Sequence, residues 1–123
     1  MVNLKTTEVE CHPQIGRLLW FVFSSSRGGL NRIRIVLALK ERPHNTNQLA
    51  NELGLDYKAI QHHLKVLQKN NLIISDGKKY GAAYLFSTYL EANLDVFEKI
   101  VAMMQLISQQ KSLQIKAERI LKS

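Results

Sequence analysis

The stretch that most constrains this chain is Asn45 to Asn70, NTNQLANELGLDYKAIQHHLKVLQKN. Placed on a helix at about 100° per residue, its second half sorts into two faces. Ile60, His63, Leu64 and Leu67 fall on one side, and Lys58, Gln61, His62, Lys65 and Lys69 on the other. The first half carries start and stop signals. Asn45 stands three residues before Gln48, the spacing of a capping box. Leu49, Ala50 and Leu53 follow at helical spacing, and Gly54 suits a left-handed cap. Asp56 is a good N-cap for the next helix. Two helices around a short turn containing glycine make a helix-turn-helix, with small Ala50 where they cross. An apolar back and long donors in front are what a helix entering the DNA major groove needs. Helix pairs also occur in proteins that bind no nucleic acid, so the remainder of the chain has to weigh in.

Charge does so. The chain carries a net +7 with a pI near 9.7. Between Arg27 and Tyr84 there are ten basic residues against four acids, which leaves +6 of that excess in about half the length. A basic balance concentrated in this way points to an anionic partner. The length of 123 residues and 46% hydrophobic content fit one globular domain. The single cysteine, Cys11, rules out an internal disulfide and a Cys-rich zinc site. His12 beside it leaves a metal two ligands short. No apolar run opens the chain, and Leu18 to Phe23 is too short to span a bilayer. A cytoplasmic protein without membrane contact is expected.

In chain order, Met1 to His12 reads as a flexible tail, and residues 13–123 as one domain. Pro13 to Phe23, PQIGRLLWFVF, is the most apolar segment, helix or strand by pattern. Trp20, Phe21 and Phe23 exceed what one face of a small domain buries, so part of this segment is expected to meet a second copy of the chain. Leu30 to Arg42 reads as a helix ended by Pro43, with Leu30, Ile33, Val36, Leu37 and Leu39 as its core face and Arg32 exposed. Leu72 to Ser75 looks like a strand, Asp76-Gly77 like a hairpin turn, and Tyr80 to Ser87 like the return strand. That makes a wing over 71–87 with Lys78 and Lys79 at its tip. Ser87 or Thr88 caps a final helix over 88–121. In it Leu90, Leu94, Phe97, Val101 and Met104 repeat at heptad spacing, a seam for a second subunit.

Helix, helix-turn-helix at 45–70, two-strand wing and long helix, in that order, predict a mainly α winged helix-turn-helix fold with a small β-hairpin. The words "LA..L", "HHLKVL" and "NNLI" leading into the wing resemble the ArsR-type winged helix-turn-helix transcription regulators, over about Gly28 to Ile100. RGGLNRIRIVLALKERPHNTNQLA is similar to small archaeal members. The resemblance implies a homodimer on a partly palindromic duplex. It puts Lys58, Gln61 and His62 at base edges and Lys65 toward phosphate. Tyr57 opens the recognition helix, and Lys78 and Lys79 correspond to the wing. Arg32, Arg34 and Lys69 are further phosphate candidates, and His63 is structural. The cysteine pair of the family's metal sensors is missing, since Leu53, Gly54, Leu55 and Asp56 stand in its place, so no metal and no cofactor are expected.

No phosphate-cradling glycine loop and no nucleophile–base pair stand out, so an enzyme is not expected. Two other readings remain open. One is a winged-helix docking module for the basal transcription machinery, with the apolar surface near Trp20 as its contact. The other is a sensor that uses Cys11 or a dimer-interface pocket lined by Phe97 and Met104.

Overall fold

The computed structural model describes residues 13–25 and 27–122. The expected tail and Cys11 lie outside the described residues. Helix α1, Pro13–Trp20, opens with proline at its first position, where a missing N–H costs nothing. It runs on into a π-helical turn over Phe21–Ser25. Helix α2 is Gly29–Glu41 and a short strand β1 is His44–Asn45. The helix-turn-helix follows as α3, Thr46–Leu53, and α4, Tyr57–Lys69. Strands β2, Ile73–Ser75, and β3, Ala83–Phe86, form the wing. A short helix α5, Thr88–Ala92, and a long helix α6, Leu94–Lys122, complete the chain.

The local signals around the helix-turn-helix act as their chemistry requires. The Asn45 side chain accepts from the Gln48 N–H and the Gln48 side chain accepts from the Asn45 N–H, each at 2.8 Å. Gly54 closes α3 at φ +66°, and the Leu55 N–H donates to the Ala50 carbonyl at 3.1 Å. Asp56 accepts from the Lys58 N–H at 3.1 Å and starts α4.

The sheet has three strands rather than two. β1 pairs antiparallel with β3, Asn45 opposite Ala83, and β3 pairs antiparallel with β2, Ser75 opposite Tyr84. The residue that caps α3 is thereby also sheet-bonded, which ties the wing to the helix-turn-helix. Asp76-Gly77 does not make a two-residue turn. The Asp76 N–H donates to the Ala83 carbonyl at 2.9 Å, and a longer loop closes the hairpin beyond that bond. Within it the Asp76 side chain takes the Lys78 N–H at 3.1 Å, an Asx turn that competes with the tighter hairpin.

The core joins α1, the π turn, the helices α2 to α5, strand β2 and the start of α6. Leu19, Val22, Phe23, Ile35, Val36, Leu49, Ile60 and Leu67 are fully buried in it. Three residues expected at a dimer interface belong to it as well. Phe23 and Phe97 pack edge to face, ring centroids 5.0 Å apart at 71°, and Leu90 is fully buried. One chain covers all three, because the π turn points Phe23 inward. The seam of the final helix is partly taken by its own domain: Leu94, Val101 and Met104 pack against the same core and are half-buried. Trp20 joins them there, while Phe21 stays 59% exposed.

Helix α2 is also turned from its expected setting. Its buried face is Gly29, Arg32, Ile33, Ile35, Val36 and Leu39, and Leu30 is 65% exposed with Leu37 also outside. Close approach of the preceding turn sets this rotation. A Cβ on Gly29 would stand 2.4 Å from the Phe23 carbonyl oxygen. The final helix is interrupted as well. Ser87 caps α5 by accepting the Leu90 N–H at 3.0 Å, and Asn93 breaks the run before α6 begins.

Candidate nucleic-acid interface

Helix α4 is held from behind and open in front. Ile60, Leu64 and Leu67 are buried, and so is His63. Lys58, Gln61, His62, Lys65 and Lys69 are exposed on the opposite side, and Tyr57 is exposed at the start of the helix. The side chains expected to read DNA thus share one face, fixed to the core by residues three and four apart.

The wing comes up against that face. A cleft of about 230 Å³ lies between α4, the start of α3 and the wing loop. Tyr57, Gln61 and Lys79 meet there, joined by Asn45, Asn47 and Tyr84. Asn47 and Tyr84 were not among the residues picked out by the sequence. They enter only because β1 folds the α3 N-terminus against β3, and a two-residue strand carries no alternation to read. Lys79 lies 5.6 Å from the Tyr80 ring centroid, a cation–π contact that steadies the amine while leaving its charge exposed. Lys78 is exposed on the same loop.

Two arginines expected at phosphates are engaged elsewhere. Arg32 is only 4% exposed. Its Nε donates to the Val22 carbonyl at 3.0 Å, and its Nη1 lies 3.2 Å from His63 Nδ1. Because arginine only donates, Nδ1 is the acceptor and His63 is neutral at that atom. Burial, the Arg32 cation and neighbouring His62 together hold the His63 imidazole below its ordinary pKa. Arg32 therefore stitches the π turn to the back of α4. Arg34 is half-buried, and its Nη2 donates to the Leu53 carbonyl at 2.7 Å, at the end of α3.

A second buried polar contact holds β1. His44 is 1% exposed, its Nδ1 lies 2.7 Å from the Arg42 carbonyl oxygen, and its Nε2 contacts the Glu52 carboxylate. This pins the sheet to α3 from the side away from the cleft residues.

The far half of α6 leaves its own domain. Leu106, Leu113 and Ile120 recur at seven-residue spacing and are 59%, 65% and 73% exposed, with Leu121 beside them. Leu106 lies nine residues from Phe97, about half a turn around the helix from the core-facing side.

Helix-turn-helix, three-stranded wing and flanking long helix define a winged-helix fold. Within it, residues 31–75 match the family model described as bacterial regulatory protein, arsR family, a span that runs from α2 through the helix-turn-helix to β2. No curated protein sequence matches the chain. Solved structures agree on the fold. The transcriptional regulator HlyU from Vibrio vulnificus is 20% identical with a TM-score of 0.55, covering 85% of this chain and 97% of its own. The transcriptional repressor BigR from Xylella fastidiosa is 14% identical, TM-score 0.56, covering 85% and 95%. The transcriptional regulator BldR from Sulfolobus solfataricus is 17% identical, TM-score 0.54, covering 99% and 97%. Among the described residues no helix is long and apolar enough to cross a membrane.

Proposed function

We propose that this chain is a sequence-specific transcription regulator that binds double-stranded DNA as a homodimer. One observation carries the reading: the exposed Lys58–Gln61–His62–Lys65 face of α4 is continuous with wing residue Lys79 through a shared cleft. Helix α4 enters the major groove, and the wing lies on the backbone or in the minor groove. Gln61 suits the two edges of adenine, and Lys58 donates to guanine. Lys65, Lys69 and Lys78 neutralise phosphates. If about six phosphates are neutralised in all, the log–log salt slope is about −5.

The second copy meets the first along the outer stripe of α6. Leu106, Leu113 and Ile120 present a heptad row with no charged residue in it, the pattern of helix pairing. This stripe takes the place of the inner seam, whose Leu90 and Phe97 are already buried in its own domain. Two recognition helices then fall about 34 Å apart, one turn of duplex. The finer placement, among small archaeal regulators such as the early archaellum regulator, rests on the sequence resemblance alone.

The test compares wild type with Gln61→Ala against a panel of duplexes. Relaxed discrimination at one position of each half-site is the expected result. Unchanged discrimination would remove α4 from the reading role.

A further inference from the structure

A second concave surface lies on another part of the molecule. Between α2 and α6 runs a groove of about 450 Å³ floored by Leu30, Ile33, Leu37, Val101, Met104 and Ile107. Its size falls among small-molecule sites, which span roughly 300–1,000 Å³. The two outward leucines of α2, left over by the rotation of that helix, form one wall. Charge enters only through Arg34 and Lys111, and no carboxylate lines the groove among the described residues.

We infer that this groove binds an amphipathic carboxylate, a small molecule with an apolar body and one acid group. The apolar floor takes the body, and Arg34 takes the acid, since a guanidinium pairs a planar carboxylate through two parallel N–H donors. A second copy of this chain fits less well. The free end of its α6 carries Lys116, Arg119 and Lys122 against one acid, Glu118, and would bring cations to Arg34 and Lys111. The heptad stripe faces the other way from Val101 and Met104, so pairing of α6 helices leaves the groove open.

Arg34 also connects the groove to the helix-turn-helix. Its Nη1 donates to Asn31 Oδ1 at 3.2 Å and its Nη2 to the Leu53 carbonyl at 2.7 Å. Leu53 ends α3, and Gly54 then turns the chain into α4. A carboxylate is a stronger acceptor than a carbonyl, so a bound acid draws the guanidinium off Leu53 and frees the turn that aims the recognition helix. This consequence for DNA rests on the regulator reading above, whereas the binding does not.

The experiment titrates the full chain with octanoate and, separately, with octanol, and follows backbone amides by NMR. Octanoate should saturate, shifting amides in 30–37 and 101–111 and also those of Leu53 to Asp56. Octanol should bind about tenfold more weakly, the size of one lost charge-assisted pair, and leave Leu53 to Asp56 in place. Arg34→Gln should reduce octanoate to the octanol level. Equal binding of the two probes, no saturation, or wild-type affinity in Arg34→Gln overturns the site. So do groove amides that move with protein concentration alone, which would put a second copy there, or tighter binding of an acidic amphipathic peptide than of octanoate. A parallel DNA titration separates the two claims. Octanoate should weaken DNA binding, and an unchanged affinity with octanoate bound overturns the coupling. A chain that binds no DNA at all defeats the regulator reading, while the NMR titration still decides the groove.

Discussion

Arg32→Ala distinguishes a buried structural arginine from a DNA contact. The guanidinium spans the Val22 carbonyl and His63 Nδ1, at 3.0 and 3.2 Å, with 4% of the residue exposed. Truncation leaves the Val22 carbonyl inside the core without this donor, and hydrogen bonds to charged groups contribute about 1.5–3 kcal/mol each. It also removes the packing of the stem. A net loss of about 3 kcal/mol follows, which lowers the Tm of a domain this size by about 10 °C. Such a loss leaves most domains folded at 25 °C. DNA affinity there should stay within about twofold of wild type, with an unchanged salt slope. The assay pairs thermal melts, run at one protein concentration, with salt-titrated DNA binding. An unchanged Tm with a slope reduced by about 0.9 would mean a phosphate contact and would refute the structural role.

Acid should weaken the fold through His63. Its folded-state pKa is lowered, chiefly by burial and then by Arg32 and His62. The unfolded chain therefore takes up the proton first, so this contribution to stability is complete above about pH 6.5 and is lost as pH falls through the lowered folded value. Urea melts at pH 7.5 and 5.5 should show the loss, and His63→Gln should remove its pH dependence. Gly29→Ala sets helix propensity against space. Alanine gains at most about 1 kcal/mol in a helix, but the new Cβ meets backbone 2.4 Å away at Phe23, so a net loss of about 2 kcal/mol is expected. A stabilised variant in chemical denaturation would contradict the packing of α2 on the π turn. Lys79→Ala should weaken all duplexes alike and reduce the salt slope by about 0.9, whereas loss at one sequence only would make the wing a base reader.

The helix-turn-helix was legible because its signals are local. A capping box, a left-handed glycine and an N-cap aspartate each act within four residues, and the two faces of α4 follow from periodicity. What sequence missed came from contacts between distant segments. Arg32 looked exposed, since a charged side chain beside Ile33 carries no sign that a carbonyl ten residues earlier will take it in. Phe23 looked like an interface residue because it lies in an apolar run, and Phe97 because it lies in a heptad repeat; only the fold brings one against the other. The heptad of the final helix is present, and its Leu90 to Met104 side packs on its own domain. The spacing of Leu90 to Met104 cannot say whether the partner is another chain or the same one. Likewise Asn47 and Tyr84 became candidate contacts only through a two-residue strand too short for any pattern.

The central claim is that α4 reads sequence as one of a symmetric pair. Selection from random duplexes with the purified chain, followed by sequencing of the bound fraction, tests it most directly. An enriched inverted repeat whose half-sites lie about 10 base pairs apart, one turn of the helix, is the expected result. Binding without enrichment would contradict base reading by α4, and an enriched single half-site would contradict the pairing of two copies through α6.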